Sequence, residues 1–289
     1  MRPLALAVAV AAGLLPQSRA AAQADPIAVT ARARARQPGE LVVLTLVMPD
    51  ATLVPRVHVF GRALLPYKVS QTTWRVLVGI DLEAAAGTYP ITIDGGPAAS
   101  TIKTTYSLVV AGKTFPTRKL TVDDAFVNPP PSAQDRIARD SAALANLWEH
   151  SAGTPLWSGA FVRPVPDPAN SAFGTRSVYN GQPRSPHSGA DFLSPAGTPV
   201  KAPNNGDIVL AEDLYFTGQT VVIDHGLGLF SLFAHLSTMK VHPGDRVKTG
   251  AVLGEVGATG RVTGAHLHWM VRVGGARIDP LSLLALLGS

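Results

Sequence analysis

The sequence predicts a mainly β protein in two parts, an N-terminal β-sandwich domain and a C-terminal β-sheet domain, joined by a proline-rich stretch and one helix. Three observations carry this expectation. From Ile27 to about Val122, short β-prone runs alternate with turn clusters at roughly even spacing. Asn128-Pro129-Pro130-Pro131 then interrupts the chain and is followed by apolar residues at helical spacing. From Trp157 onward the sequence is Gly-rich and strand-like again.

Taken in order, Met1-Arg2, the apolar run Leu4 to Leu15 and the small residues Ala20, Ala22 and Ala24 form the pattern of a secretory signal peptide over residues 1–24, cleaved after Ala24. The run is about twelve residues, short of the roughly 20 that a spanning helix needs. Residues 25–127 are expected to form the sandwich. Its strands include Val57 to Phe60, ITID and YSLVV, while Gly87, Gly95, Gly96 and Pro97 mark turns. Trp74, Val76 and Val78 alternate with Arg75 and Leu77 as in a half-buried strand, and His58 is an ordinary strand residue. Residues 128–156 are the connector. Three prolines remove backbone donors there, Ser132 with Asp135 resembles a helix start, and Ile137, Ser141, Leu144 and Trp148 share a face. His150 ends the helix, where a cation is favourable. In residues 157–289, strands are expected at Thr198 to Lys201, Asp207 to Glu212, Thr220 to Asp224, Leu229 to Ala234, Ala251 to Val256 and His266 to Val273. The apolar Leu281 to Leu287 is expected to pack on a domain edge.

Composition narrows the chemistry. The 289 residues are 46% hydrophobic and 16% charged, enough for real cores. There is no cysteine, so disulfides, thiolate metal sites, a catalytic thiol and a lipid-modified cysteine are all excluded. A metal must be held by nitrogen and oxygen. The net charge of +5 falls to about +3 once Arg2 and Arg19 leave with the leader, which suits an anionic wall or membrane surface. Nucleic-acid binding would need clustered cations with aromatics, and none are found.

Four histidines and an aspartate fall in three segments of the second part, His187-Ser-Gly-Ala-Asp191, Phe233-Ala-His235-Leu and His266-Leu-His268-Trp-Met-Val-Arg-Val. Strand alternation places His266 and His268 on one face with Met270, opposite the apolar Leu267, Trp269, Val271 and Val273. His187 and Asp191 share parity, and Gly189 between them argues against a helix. Two imidazoles and a carboxylate, His187, Asp191 and His268, suit zinc and leave a fourth position for water, as in catalytic sites. His225 at a strand end and His242 in a turn are assigned other roles, structural or at the substrate rim for His225. Arg184 and Asn180 lie before the first ligand, where substrate contact and a solvated loop are equally good accounts.

The segments RSPHSGADF, VVIDHGLGLFSLFAHLS and GDRVKTGAVLGEVGATGRVTGAHLHW resemble the lysostaphin/LytM-type zinc metallopeptidases, a family of peptidoglycan endopeptidases, over roughly Phe161 to Pro280. The resemblance implies a LytM-type β-sheet peptidase domain (a duplicated hybrid motif), Zn2+ on His187, Asp191 and His268, and catalytic roles for His235 and His266 beside the attacking water. Phe233 stands where tyrosine is frequent and Ala265 where proline is frequent; neither change removes a ligand. It further implies an exported enzyme, periplasmic or extracellular, that hydrolyses peptide cross-links of bacterial peptidoglycan at the D-alanyl-diamino acid bond. The competing readings are a non-catalytic wall-binding or hydrolase-activating protein of the same fold, and a lipoyl- or biotinyl-type carrier, for which the histidines would have no use. The N-terminal domain is expected to position or restrain the enzyme through a wall or regulatory partner, and its removal is expected to leave a folded peptidase domain.

Overall fold

The computed structural model describes residues 27–96, 101–122, 127–170 and 173–288. The expected signal peptide over 1–24 lies outside the described residues. The chain builds β1 (Ala28–Ala33), β2 (Leu41–Val47), β3 (Pro55–Val59), β4 (Arg62–Leu64), β5 (Tyr67–Lys68), β6 (Thr73–Gly79), β7 (Gly87–Gly95) and β8 (Ile102–Val110) first. These form two four-stranded sheets, ordered β1-β2-β6-β5 and β4-β3-β7-β8. Alternating side chains, among them Val42, Leu44, Val76, Val78, Val57, Ile91 and Leu108, close one core between the sheets, as a sandwich requires.

The expected half-buried pattern of β6 needs a correction. Leu77 points away from the sandwich core and is nevertheless buried, as are Leu41 and Val43 on the same face of β2. These three residues belong to the second half's core, with Trp269, Ile278, Leu283 and Leu286. The outer face of the first sheet is covered by protein at Leu41, Val43 and Leu77, while Val47 and Arg75 on the same face stay exposed. Each side chain so buried contributes at most about 1.5–3 kcal/mol.

Polar contacts reinforce this seam. Arg277 donates to Asp81 Oδ1 at 2.7 Å and Glu83 Oε2 at 2.8 Å. Arg34 bridges Glu40 and Asp279, 2.7 Å from each. Ser282 donates to Glu40 Oε2 at 2.8 Å and accepts from the Leu41 backbone N–H at 2.9 Å.

After the sandwich, β9 (Thr117–Leu120) leaves it and later pairs in parallel with a strand of the second half. The connector follows. Ser132 does not cap the helix as expected: Pro131–Ala133 forms a 3-10 turn, and α1 (Gln134–Trp148) starts after Ala133 with no side-chain cap. Proline suits that first turn because its missing N–H would have no partner there. Leu144, Leu147 and Trp148 lay α1 on a patch that includes Phe230 and Leu232. His150 ends the helix region with Nδ1 2.8 Å from the Asn146 carbonyl.

The second half comprises β10 (Arg176–Tyr179), β11 (Gln182–Pro183), β12 (Gly189–Phe192), β13 (Pro199–Lys201), β14 (Gly206–Leu214), β15 (Gly218–Asp224), β16 (Leu229–Met239), β17 (Arg246–Val247), β18 (Val252–Val256), β19 (Leu267–Val273), β20 (Ala276–Ile278) and α2 (Pro280–Leu287). The six predicted strands of this half are all present. Nine strands form one sheet along β12-β19-β16-β15-β14-β17, with β18, β13 and β20 attached beside it. One face of β16 and β19 carries Phe233, Trp269 and Val271 into the main core, and the other carries Leu232, Ala234 and Met270 toward α1. The apolar C-terminal run is α2, capped by Asp279 accepting from Leu281 N–H at 2.9 Å. It packs at the seam, against β1, β2, β12 and β19.

Candidate metal centre and its cleft

Strand pairing assembles the site. Asp191 on β12 lies directly opposite His268 on β19 in antiparallel register, so their side chains project from the same side of the sheet. His187 enters just before β12, tied down by its backbone N–H donating to the Thr175 carbonyl at 2.9 Å. The donor atoms form a nearly equilateral triangle. His187 Nε2 is 2.9 Å from Asp191 Oδ1 and 2.9 Å from His268 Nδ1, and His268 Nδ1 is 3.0 Å from Asp191 Oδ1.

Two imidazole nitrogens and a carboxylate oxygen are a suitable set for a tetrahedral zinc. Bonds of about 2.0–2.1 Å put neighbouring donors about 3.3 Å apart, so the triangle needs to widen by only a few tenths of an ångström. Burial works to raise the Asp191 carboxyl, but hydrogen bonds from His187 and His268 hold it well below the usual carboxylate range. His268 is pushed down by burial, against its hydrogen bond to Asp191. An ionised carboxylate is the form in which Asp191 can ligate a metal.

Gly189 makes room for this arrangement. A Cβ there would stand 2.5 Å from the Trp269 carbonyl oxygen and 2.7 Å from the His268 ring.

His235 reaches the site by a different device. Phe233 and Leu236 on β16 both enter the main core, although simple alternation would put residues three apart on opposite faces. The pairing with β15 shifts register at this point, and His235 has φ of +64°. It is the extra residue of a β-bulge, with its backbone N–H donating to the Thr217 carbonyl at 2.8 Å. The side chain is thereby turned toward the His187, Asp191 and His268 triangle, its ring centroid 6.0 Å from that of His268 and 4.9 Å from that of His266. Its Nδ1–H donates to the Thr259 carbonyl at 3.0 Å, which leaves Nε2 as the proton acceptor. Burial pushes the His235 imidazole down to about 3, with the His268 charge adding to the effect, so it is neutral near pH 7. His266 is anchored likewise, Nδ1 donating to the Gly264 carbonyl at 2.9 Å, and its Nε2 lies 3.8 Å from Asp191 Oδ1.

All five expected residues line one cleft of about 470 Å³. The other histidines lie elsewhere. His225 is buried, with Nδ1–H donating to the Asn205 carbonyl at 2.7 Å and Nε2 accepting from Ser231 at 3.0 Å, which is a structural role. His58 and His242 are exposed, in β3 and in a turn.

The profile of peptidase family M23 matches residues 185–280, which include all five. A Pseudomonas aeruginosa protein of known crystal structure, assigned to peptidase M23, is 34% identical and matches 86% of this chain and 95% of its own with a TM-score of 0.67. The chain belongs to peptidase family M23. This M23 peptidase is also 41% identical over 97 residues to the DD-carboxypeptidase/endopeptidase Mpg of Neisseria meningitidis serogroup B. It is 40% identical over 96 residues to the peptidoglycan DD-endopeptidase ShyA of Vibrio cholerae. Those matches take in 34% and 33% of the M23 peptidase described here but 22% of the length of each relative.

Several parts of the M23 cleft carried no signal in the sequence. Thr259, whose carbonyl fixes the His235 tautomer, and Gly189 as the seat of His268 are among them. So are Arg118 and Leu120, which line the cleft from β9. Asn180, one of two residues considered for substrate contact, is otherwise engaged: its side chain accepts from Val122 N–H at 3.0 Å and donates to Val122 O at 2.9 Å. Arg184, the other, does line the cleft.

Proposed function

We propose that the protein is an exported zinc metallo-endopeptidase that hydrolyses peptide cross-links of bacterial peptidoglycan, at the bond between D-alanine and a diamino acid. The observation that carries this reading is the triangle of His187, Asp191 and His268 donors with two further imidazoles, His235 and His266, in the same cleft. The names of Mpg and ShyA, a DD-carboxypeptidase/endopeptidase and a peptidoglycan DD-endopeptidase, support the substrate and the bond. Among the described residues no helix is long and apolar enough to cross a membrane.

His187, Asp191 and His268 hold the zinc in this reading. Bound there, zinc supplies a Lewis acid for the scissile carbonyl and lowers the pKa of water to about 7. His235, neutral and with Nε2 free to accept, takes the proton of the attacking water. His266, anchored in the same way through Nδ1–H, presents Nε2 to the cleft as a second acceptor that orients the attacking water. Thr259 and Gly264 lend carbonyls that keep both rings in the required tautomer.

We further propose four parts for the chain: a leader over 1–24, an N-terminal unit over 25–127, a connector over 128–156 and the peptidase over 157–289. The N-terminal unit serves in positioning or restraint through a wall or regulatory partner. Its last strand, β9, is already joined to the peptidase.

Substitution of the ligands against the proton-transfer residue tests the reading. His268→Ala and Asp191→Ala should lose zinc and activity together, because each removes one of three ligands. His235→Ala should keep zinc and lose about 10²–10⁴ in kcat. The measurements are bound zinc by elemental analysis and mass analysis of products from purified wall. A zinc-free His235→Ala beside a zinc-loaded His268→Ala would reverse the roles, and wild-type zinc-loaded protein without products would favour the non-catalytic reading.

A further inference from the structure

The wall of the cleft beside the metal ligands is a three-stranded sheet of mixed origin, ordered β11-β10-β9. β9 comes from the segment leaving the sandwich and pairs in parallel with β10, Arg118 opposite Ser177 and Leu120 opposite Tyr179. Residues two apart in a strand share a face, and Arg118, Leu120 and Val122 line the cleft together with Ser177 and Tyr179. The segment is held beyond the strand pairing by the two hydrogen bonds between the Asn180 side chain and the Val122 backbone.

Two arginines converge on Ser177 in this wall. Arg118 Nε donates to Ser177 Oγ at 3.3 Å, and the Arg184 backbone N–H donates to Ser177 O at 2.8 Å. The Arg184 guanidinium has a neutral partner, Gln182 Oε1 at 2.8 Å from Nη2, and its buried Nε has no hydrogen-bond partner among the described atoms. A guanidinium that lines a cleft beside a neutral amide partner can still offer its terminal N–H groups to a carboxylate, which takes two of them at once. The surrounding charge has the same sign. Arg261 lies over the Phe216 ring at 4.3 Å on the same cleft. Among the described residues that line the cleft, the sole carboxylate is Asp191, which is committed to the metal ligands.

Resting on the peptidase reading above, we propose that this sheet is the specificity wall of the cleft, where Arg184, assisted by Arg118, binds a free carboxylate on the peptide substrate while Leu120 and Tyr179 receive an adjacent apolar group. The substrate class is therefore an anionic peptide whose side or terminal carboxylate is unblocked. The N-terminal part contributes to substrate choice directly, through Arg118 and Leu120, and not as a tether alone.

The experiment uses the zinc-loaded mature chain and two soluble cross-linked wall peptides that differ in having their free carboxylates intact or converted to amides. Wild type should show a KM about tenfold higher for the amidated peptide with kcat changed less than about twofold, the scale of one charge-assisted hydrogen bond made equally in ground and transition states. Arg184→Gln should raise KM for the carboxylate peptide by about tenfold and abolish the discrimination, with Arg184→Lys restoring part of it. Arg118→Gln, at an exposed position, should act in the same direction by about threefold. Zinc content serves as the control for an intact site. Wild type that cleaves both peptides equally well overturns the proposal and leaves the peptidase reading standing, as does an Arg184→Gln variant that discriminates like wild type. Cleavage of neither peptide removes the peptidase reading and this proposal with it.

Discussion

At the level of single residues, the site depends on groups that do no chemistry. Gly189 sits under the His268 ring with no space for a side-chain carbon, because the Trp269 carbonyl and the ring itself would be met at 2.5 and 2.7 Å. Backbone in a sheet cannot yield several tenths of an ångström without disturbing its ladder. Gly189→Ala should therefore displace His268 from Asp191 and weaken zinc binding, with a stability cost of about 1–3 kcal/mol. Competition with a chromogenic chelator reads the first effect and thermal unfolding the second; wild-type zinc affinity in this variant would refute the role given to Gly189. The histidines themselves differ in how far the sequence revealed them. Parity alone placed His266 and His268 on one face, because β19 is regular there. For His235 parity gives the wrong face, since a bulge and a left-handed backbone turn it out of the core.

At the level of elements, α2 joins the two halves. Ser282 is fully buried and couples the Leu41 N–H of the first sheet to Glu40, itself in contact with Arg34. Ser282→Ala leaves the Leu41 N–H buried without its partner and removes a donor from Glu40. The loss should be about 1–3 kcal/mol, the cost of one buried group left unsatisfied. Chemical denaturation of the variant against wild type measures it, and a change below about 0.5 kcal/mol, the size typical of surface substitutions, would show that the bond carries no weight. The expectation for this apolar run was right in kind, a segment packed on an edge. Which edge was not legible: Leu281 to Leu287 shows that a face must be buried, and only the partner surface shows where.

For the whole molecule, the shared core changes what a truncation should do. Residues 25–127 carry a sandwich core of their own, and the first expectation was that their removal leaves a folded peptidase. Leu41, Val43 and Leu77 instead complete the core around Trp269, Ile278, Leu283 and Leu286, and Arg277 has its partners Asp81 and Glu83 in the deleted part. A chain from Ser132 to Ser289 should expose that apolar surface and lose the β9 wall of the cleft. We expect it to aggregate or to bind zinc poorly; size-exclusion chromatography with zinc analysis decides this, and a monomeric, zinc-loaded truncation active on small peptides would show that the seam is dispensable.

By itself the sequence determined the mainly β character, the proline break, the helix, six strands of the second half, and the four histidines and one aspartate that meet in one cleft. These are local: strand parity, proline's missing donor and short motifs act within a few residues. The tertiary structure decided three things. It placed Leu41, Val43 and Leu77 of the first sheet in a second core, turned His235 out of the core and into the cleft through a bulge, and carried Arg118 into a cleft whose His187, Asp191 and His268 lie far along the chain. Each depends on contacts between distant segments. An exposed and a covered strand face can carry the same alternating residues, and a parallel pairing such as that of β9 with β10 leaves no mark on either strand's own sequence.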